Sequence, residues 1–269
     1  MSGESLAVVS GKGGVGKSML AVALAALFAH EGKTVALVDM NTGMRGLDML
    51  LGLENRIVFD LGDLLDGICG LEKALVKEPQ TGIRLVAARQ IADTEAVDAE
   101  TLETIVEQLK NLFDRVILDG ASGIGRGFSA AVQAVDAAVL IATPDDNALR
   151  DADRISGLVQ RLDLPPPRLV INRLHADFVD QGLQYEPEIC AQVLDLPVYG
   201  AIPDDPEVWR RTLMKQPVIG DFPAGQAIAN LAVRLPDRSV PLRPWRDVKG
   251  EAEIGDRKGL FARIRRTTT

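Results

Sequence analysis

The stretch Gly11-Lys12-Gly13-Gly14-Val15-Gly16-Lys17-Ser18 follows the apolar run Leu6-Ala7-Val8-Val9 and opens a helical pattern near Ser18–His30. It satisfies two phosphate-binding patterns at once. Gly11-x-Gly13-x-x-Gly16 fits the dinucleotide fingerprint, and Asp39, 23 residues past Gly16, stands near where a ribose-binding acid belongs. The same residues fit G-x-x-x-x-G-K-S, the P-loop. Many glycine-rich loops meet the first pattern. The second also demands Lys17 and Ser18, for which a dinucleotide site has no use, so the P-loop is the better reading. Its glycines let backbone N–H groups turn toward phosphate, and the helix that follows adds its positive N-terminus. Lys17 is then expected to neutralise the β- and γ-phosphates and the Ser18 hydroxyl to ligate Mg²⁺, with Gly11, Gly13, Gly14, Val15, Gly16 and Met19 completing the cradle. The motif does not require Lys12, so a second lysine in the loop is read as functional.

Outward from this loop, short apolar runs alternate with helical patterns. Strands are expected at Leu6–Val9, Thr34–Val38, Ile83–Val86, Arg115–Leu118, Ala137–Ala142, Leu169–Ile171 and Val198–Ile202. Helices are expected near Ser18–His30, Leu47–Leu51, Leu61–Ile68, Glu100–Leu112, Leu149–Arg161 and Pro187–Leu194. The strands are continuous and branched rather than alternating, as in strands buried on both faces. The fold class is therefore α/β: one doubly wound, mostly parallel sheet with helices on both faces. Asp39 and Asp119 close two of these strands, at the end where such a sheet opens its ligand crevice, and two carboxylates there suit Mg²⁺, directly or through water.

Periodic order ends near Leu235. Residues 236–256 hold three prolines, two glycines and mixed charge, and are read as a linker. From Arg257 to Thr269 there are five bases and no acid, so the net charge of −8 resolves into −13 on residues 1–256 and +5 on 257–269. Wound as a helix, the last stretch puts Leu260, Phe261 and Ile264 on one face, with Lys258, Ala262, Arg265 and Arg266 largely opposite and Arg263 alongside. That is the pattern of a small interfacial helix on an anionic membrane surface.

Composition excludes several classes. An apolar content of 46% is too high for wholesale disorder, and no apolar run reaches the 18 residues of a membrane span. The N-terminal residues lack a basic and then apolar signal pattern, and two cysteines, Cys69 and Cys190, make no disulfide framework, so buried free thiols in a cytoplasmic protein are expected. An acidic body disfavours broad nucleic-acid binding. His30 and His175 stand outside metal-ligand spacing and read as structural.

With these residues in hand, the chain resembles the deviant Walker A family of P-loop ATPases, the MinD/ParA family, and its MinD branch most of all. The resemblance is carried by the phosphate loop, by Val38–Asp48, Gly52–Asp60, Leu149–Ile155 and Met214–Val218, and by the basic tail. It implies an ATPase that forms a homodimer when ATP is bound and helps place the division septum. Lys12 would be the signature lysine reaching the partner's phosphates. Asp39 and Asp119 would be the Mg²⁺-linked acids of two switch regions. Asn172 matches an adenine-reading asparagine, and the Pro203-Asp204 turn would approach the base by its backbone. Asp151 and Asp153 fall on a helix used for partner contacts, which admits MinC- or MinE-like regulators. Residues 257–269 would hold the protein at the inner face of the cell membrane.

The chain also departs from the family. Asn41 stands where the family has a water-positioning aspartate; asparagine orients water but is a poor proton acceptor. The second switch reads Asp119-Gly120-Ala121-Ser122-Gly123, without the family's proline, and the P-loop ends in Ser18-Met19 rather than two threonines. Lys12, Lys17, Asn41 and Asp119 thus form the expected catalytic set of a slow ATPase. The alternatives are an ATP-binding membrane scaffold with little hydrolysis, or a relative that positions flagella or other cargo. A nitrogenase-type cluster is disfavoured, because neither cysteine lies beside Asp119.

Overall fold

In the computed structural model, residues 2–42, 46–90, 98–123 and 125–246 are described. The chain runs β1 (Glu4–Ser10), α1 (Lys17–His30), β2 (Val35–Asp39), α2 (Leu47–Leu50), α3 (Leu61–Leu65), α4 (Leu71–Ala74), β3 (Val76–Lys77), β4 (Arg84–Val86), α5 (Ala99–Leu112), β5 (Arg115–Ser122), α6 (Arg126–Gln133), β6 (Ala137–Ala142), α7 (Asp146–Arg161), β7 (Arg168–Leu174), α8 (Ala176–Asp180), α9 (Pro187–Leu194), β8 (Val198–Pro203), α10 (Pro206–Leu213) and α11 (Pro223–Arg234).

The strands form one eight-stranded sheet in the order β3-β4-β2-β5-β1-β6-β7-β8. All neighbours are parallel except β3, which runs antiparallel to β4. The both-faces-buried reading is visible residue by residue. In β1, Ala7 and Val9 join the core formed with α5, α6, α7 and α9, while Leu6 and Val8 join the opposite core under α1 and α11. Successive side chains of a strand point to opposite faces. A strand covered on both sides must therefore be apolar at every position, which is why these runs were so plain in the sequence.

All seven expected strands are present. Val76–Lys77 adds the antiparallel edge, and β5 continues three residues past Asp119, to Ser122. That extension carries an irregularity, because Val8 pairs with Asp119 but Ser10 with Ser122. Gly120 occupies the step. A Cβ there would lie 2.9 Å from Val9 Cγ1 and 3.0 Å from the Val8 carbonyl oxygen. Helices α4, α6, α8, α10 and α11 went unforeseen. α11 packs on β8 where Gly200 leaves room, the Leu231 side chain lying 3.3 Å from where a Cβ would stand.

Residues 236–246, expected as the first half of a linker, lie against the domain as a strap. Arg234, 5% exposed, donates to the carbonyls of Tyr199 (2.9 Å), Val198 (3.2 Å) and Val240. Asn230 of α11 donates to the Pro241 carbonyl and accepts from the Arg243 amide. Leu242 and Trp245 then pack against the core of the other face. The strap thus passes the outer edge of β8, where the sheet order ends. Unpaired strand edges invite pairing with other chains, and covering them is a common remedy. The tail residues Leu260, Phe261, Arg263, Ile264, Arg265 and Arg266 lie outside the described residues. Among the described residues no helix is long and apolar enough to cross a membrane.

Arg234→Ala removes the donor that serves three carbonyls and is expected to lower unfolding free energy by about 1–3 kcal/mol, the cost of leaving buried polar groups unpaired. A urea titration of both proteins reads this; an unchanged midpoint would show that the strap is held without Arg234.

Candidate functional site

The phosphate loop joins the end of β1 to the start of α1. Gly16, just before α1, has φ +101°, a left-handed conformation that glycine adopts without a Cβ penalty. No acid stands in the first turn of α1, so its positive end is left for an anion. Two close approaches fix the loop from behind. A Cβ at Gly11 would lie 2.6 Å from the backbone of Asp151 on α7, and one at Gly16 would lie 2.4 Å from Nδ2 of Asn172 on β7.

Beneath the loop, register brings the acids together. Asp39 on β2 and Asp119 on β5 are direct partners across parallel strands. Asp119 is fully buried. It accepts from Lys17 Nζ at 2.7 Å on Oδ1, and from the Ser18 hydroxyl at 2.6 Å and Asn41 Nδ2 at 2.9 Å on Oδ2. Burial pushes the Asp119 carboxyl up, against the pull of the Lys17 ammonium and the Ser18 hydroxyl. Asp39 takes a different set of donors. Its Oδ1 accepts from the Asn41 amide N–H at 2.9 Å and from Asn41 Nδ2 at 3.1 Å, and its Oδ2 from the N–H groups of Gly46 and Leu47, each at 3.1 Å.

Asn41 therefore lies between the two carboxylates. Its NH₂ serves both, while its Oδ1 accepts from Lys17 at 3.3 Å. An aspartate here has no such donor and would bring a third negative charge to the cluster.

Lys12 sits apart from this cluster. Its side chain is 47% exposed and stands 4.0 Å from Asp145. Asp145 caps α7 by accepting from the Ala148 amide and also accepts from the Thr143 hydroxyl. Sequence reading missed Asp145, although an acid between a strand and a helical pattern is a capping signal. Asn172 is buried, and its Nδ2 donates to the Val15 carbonyl at 2.8 Å, bracing the phosphate loop. The Pro203-Asp204 turn closes against the end of β7, the Asp204 amide donating to the Leu174 carbonyl at 2.8 Å. Asp151 pairs with Arg154 at 3.4 Å and Asp153 is exposed on the same helix. Cys69 and Cys190 are buried free thiols, and burial pushes Cys190 up to about 12.

Residues 6–218 match the family described as the CobQ/CobB/MinD/ParA nucleotide binding domain. The chain belongs to the MinD/ParA family. It is 38% identical to the septum site-determining protein MinD of Bacillus subtilis over 268 residues, 98% of this chain and 97% of the relative. It is 36% identical to that of Helicobacter pylori over 264 residues, 95% of this chain and 98% of the relative. Among solved structures, the MinC:MinD cell division protein complex of Aquifex aeolicus superimposes with a TM-score of 0.82 at 37% identity, covering 90% of this chain and 100% of that one. The chain is a nucleotide-binding P-loop ATPase of the MinD type.

Within this MinD-type site, Ser18, Asp119 and Asp39 are oxygen donors gathered at one sheet end, which suits a small cation that keeps several waters. Among the described residues no cluster of three His, Cys, Asp or Glu side chains could hold a metal.

Asn41→Asp is expected to destabilise the metal- and nucleotide-free protein by about 1–3 kcal/mol, through loss of the donor shared by Asp39 and the buried Asp119. Melting in a chelator, repeated with Mg²⁺ and nucleotide, checks it: the deficit should narrow in the second condition. Equal melting of both proteins in chelator would remove the bridging role.

Proposed function

We propose that this chain is a MinD-like ATPase that pairs with a second copy when ATP is bound, associates with anionic membrane through residues 257–269, and helps place the division septum. The observation that carries the reading is the hydrogen-bonded cluster of buried Lys17 and Asp119 with half-buried Ser18 and Asn41 under a deviant P-loop, in a chain similar to MinD along nearly its whole length.

The roles come from the family resemblance, and the positions of the residues support them. The backbone of Gly11–Ser18 receives the phosphates at the helix N-terminus. Lys17 is already in the interior and needs only to exchange Asp119 for a phosphate oxygen. Ser18, Asp39 and Asp119 hold Mg²⁺, whose charge offsets that of the phosphates. Asn172 and the Pro203-Asp204 turn border the adenine side. Lys12, exposed at the rim, is free to cross to a partner's phosphates, at the expense of its long contact with Asp145. Asn41 orients water by a hydrogen bond but takes no proton well, so turnover is slow. A scaffold that binds ATP and scarcely hydrolyses it is the second reading, and Asn41 is what favours it.

A MinC-like regulator is proposed by analogy with the Aquifex aeolicus complex, with Asp151 and Asp153 on α7 as its contacts. The tail would make membrane residence reversible. Each large apolar side chain contributes roughly 1.5–3 kcal/mol when buried, and each base near an anionic leaflet about 1 kcal/mol. Ordering nine residues costs about 1–2 kcal/mol each. One tail is therefore weak, and two in a dimer gain through effective concentration.

Flotation with anionic vesicles tests the reading: the full chain should float with ATP, less without it, and residues 1–256 should not float in either case. Equal flotation with and without ATP would remove the coupling. In a turnover assay on the same vesicles, Asn41→Asp should hydrolyse faster by the order of 10²-fold, the low end of what a general base supplies. Equal rates would show that Asn41 does not limit hydrolysis.

A further inference from the structure

Glu4, Arg115, Ala137 and Arg168 are the first residues of β1, β5, β6 and β7. They therefore lie at the end of the parallel sheet remote from the phosphate loop. Together they line a cavity of about 250 Å³. Its apolar walls include Leu6, Phe28 from the last turn of α1, and Leu235 just past α11.

The charges around this cavity do not cancel. Asp136 is fully engaged: its Oδ2 accepts from the Ser5 amide (2.8 Å) and hydroxyl (2.9 Å), and its Oδ1 from Lys110 (2.8 Å). Glu4 pairs with Arg115 at 2.7 Å, from a side chain that is 67% exposed. The last carbonyls of α1 make no claim on the arginines, because those of Leu27, Phe28 and Ala29 accept from the amides of Glu31, Lys33 and Gly32. Arg168 is left over. It is half-buried, its guanidinium lies over the Tyr199 ring at 5.7 Å, and among the described residues it makes no hydrogen bond or ion pair. Arg238 lies over the same ring at 5.8 Å and adds to the positive field. Asp237, beside it, accepts from the hydroxyl (2.6 Å) and amide (3.0 Å) of Ser239.

Arg115 is stacked as well, over Phe28 at 5.3 Å. A ring beneath a guanidinium holds its plane but takes none of the in-plane donors, which remain a fork for two oxygens of an anion. A carboxylate has two oxygens and suits one fork. A phosphate monoester has three terminal oxygens and can engage two. The apolar walls then call for carbon on the ester side, since burying them against a bare ion gains nothing.

We propose that this cavity binds a phosphate monoester on an apolar stem, with Arg168 and Arg115 taking the phosphate oxygens and Leu6, Phe28 and Leu235 the carbons. Glu4, exposed, gives up Arg115 when the ester enters. The site is separate from the nucleotide site and uses none of residues 257–269. A soluble ester and the headgroup of a phosphatidate lipid present the same chemistry.

Calorimetric titration of the full chain with glycerol 3-phosphate tests this, with ADP and Mg²⁺ saturating so that the phosphate loop is filled. Binding is expected. Arg168→Gln should weaken it by roughly tenfold or more, the scale of a charged hydrogen-bond pair. Glu4→Gln, which frees Arg115, should tighten it several-fold, a gain that a misfolded protein cannot give. ADP affinity should be unchanged in both variants. Flotation on phosphatidate vesicles separates the two sources. If Arg168→Gln floats several-fold less, the ester is a lipid headgroup; if it floats equally while losing glycerol 3-phosphate, the ester is soluble. A chain that binds glycerol 3-phosphate but never floats upholds the cavity and removes the membrane reading instead. No binding of glycerol 3-phosphate overturns the proposal, as does binding that Arg168→Gln leaves intact or that potassium chloride at equal ionic strength reproduces.

Discussion

Asp119 is the constraint around which the site is organised. A fully buried carboxylate is tolerated only where donors surround it, and here those donors are the ammonium of Lys17, the hydroxyl of Ser18 and the amide of Asn41. Three chain segments meet at one side chain: the phosphate loop, the residues after β2, and β5 itself. The parallel register that sets Asp39 beside Asp119 makes this possible. It also poses a like-charge problem, which Asn41 relieves by donating to both acids. Lys17, Ser18, Asn41 and Asp119 thus form a mutually hydrogen-bonded cluster, and under the proposed function a nucleotide would bind by substitution within it.

Much of this was legible in the sequence because it is local. Gly16, Lys17 and Ser18 are adjacent, so their joint meaning survives without a fold. The strands were legible because burial on both faces leaves no room for polar residues. What escaped was of another kind. Asn172 braces Val15 from 157 residues away, a relation that no spacing encodes. Asn41 looked like a lost catalytic acid, and its bridging role appears only once β2 and β5 are in register. Helix α11 is rich in alanine and carries glycine near its start, so its apolar pattern is faint; its partner is a glycine on β8. β5 was cut short at Asp119 because Gly120 reads as a turn residue, whereas its lack of a side chain is what lets the strand pass Val8 and Val9.

The two faces of the sheet divide the labour. One face, under α1 and α11, carries the helix that the phosphate loop opens. The other, under α5, α6, α7 and α9, includes α7, the helix on which the proposed regulator contacts lie. Gly11 is where the two meet, since only hydrogen fits between the loop and Asp151 of α7.

The strap gives the domain a border that differs from the end of its last helix. Cutting the chain after Leu235 removes more than a tether: it takes away the cover from the outer strand and one of the three carbonyls that Arg234 serves. A shortened protein made that way would tend to self-associate through β8, and the resulting loss of behaviour would be mistaken for a lipid-binding defect. Dissection of the tail is clean only from residue 247 onward.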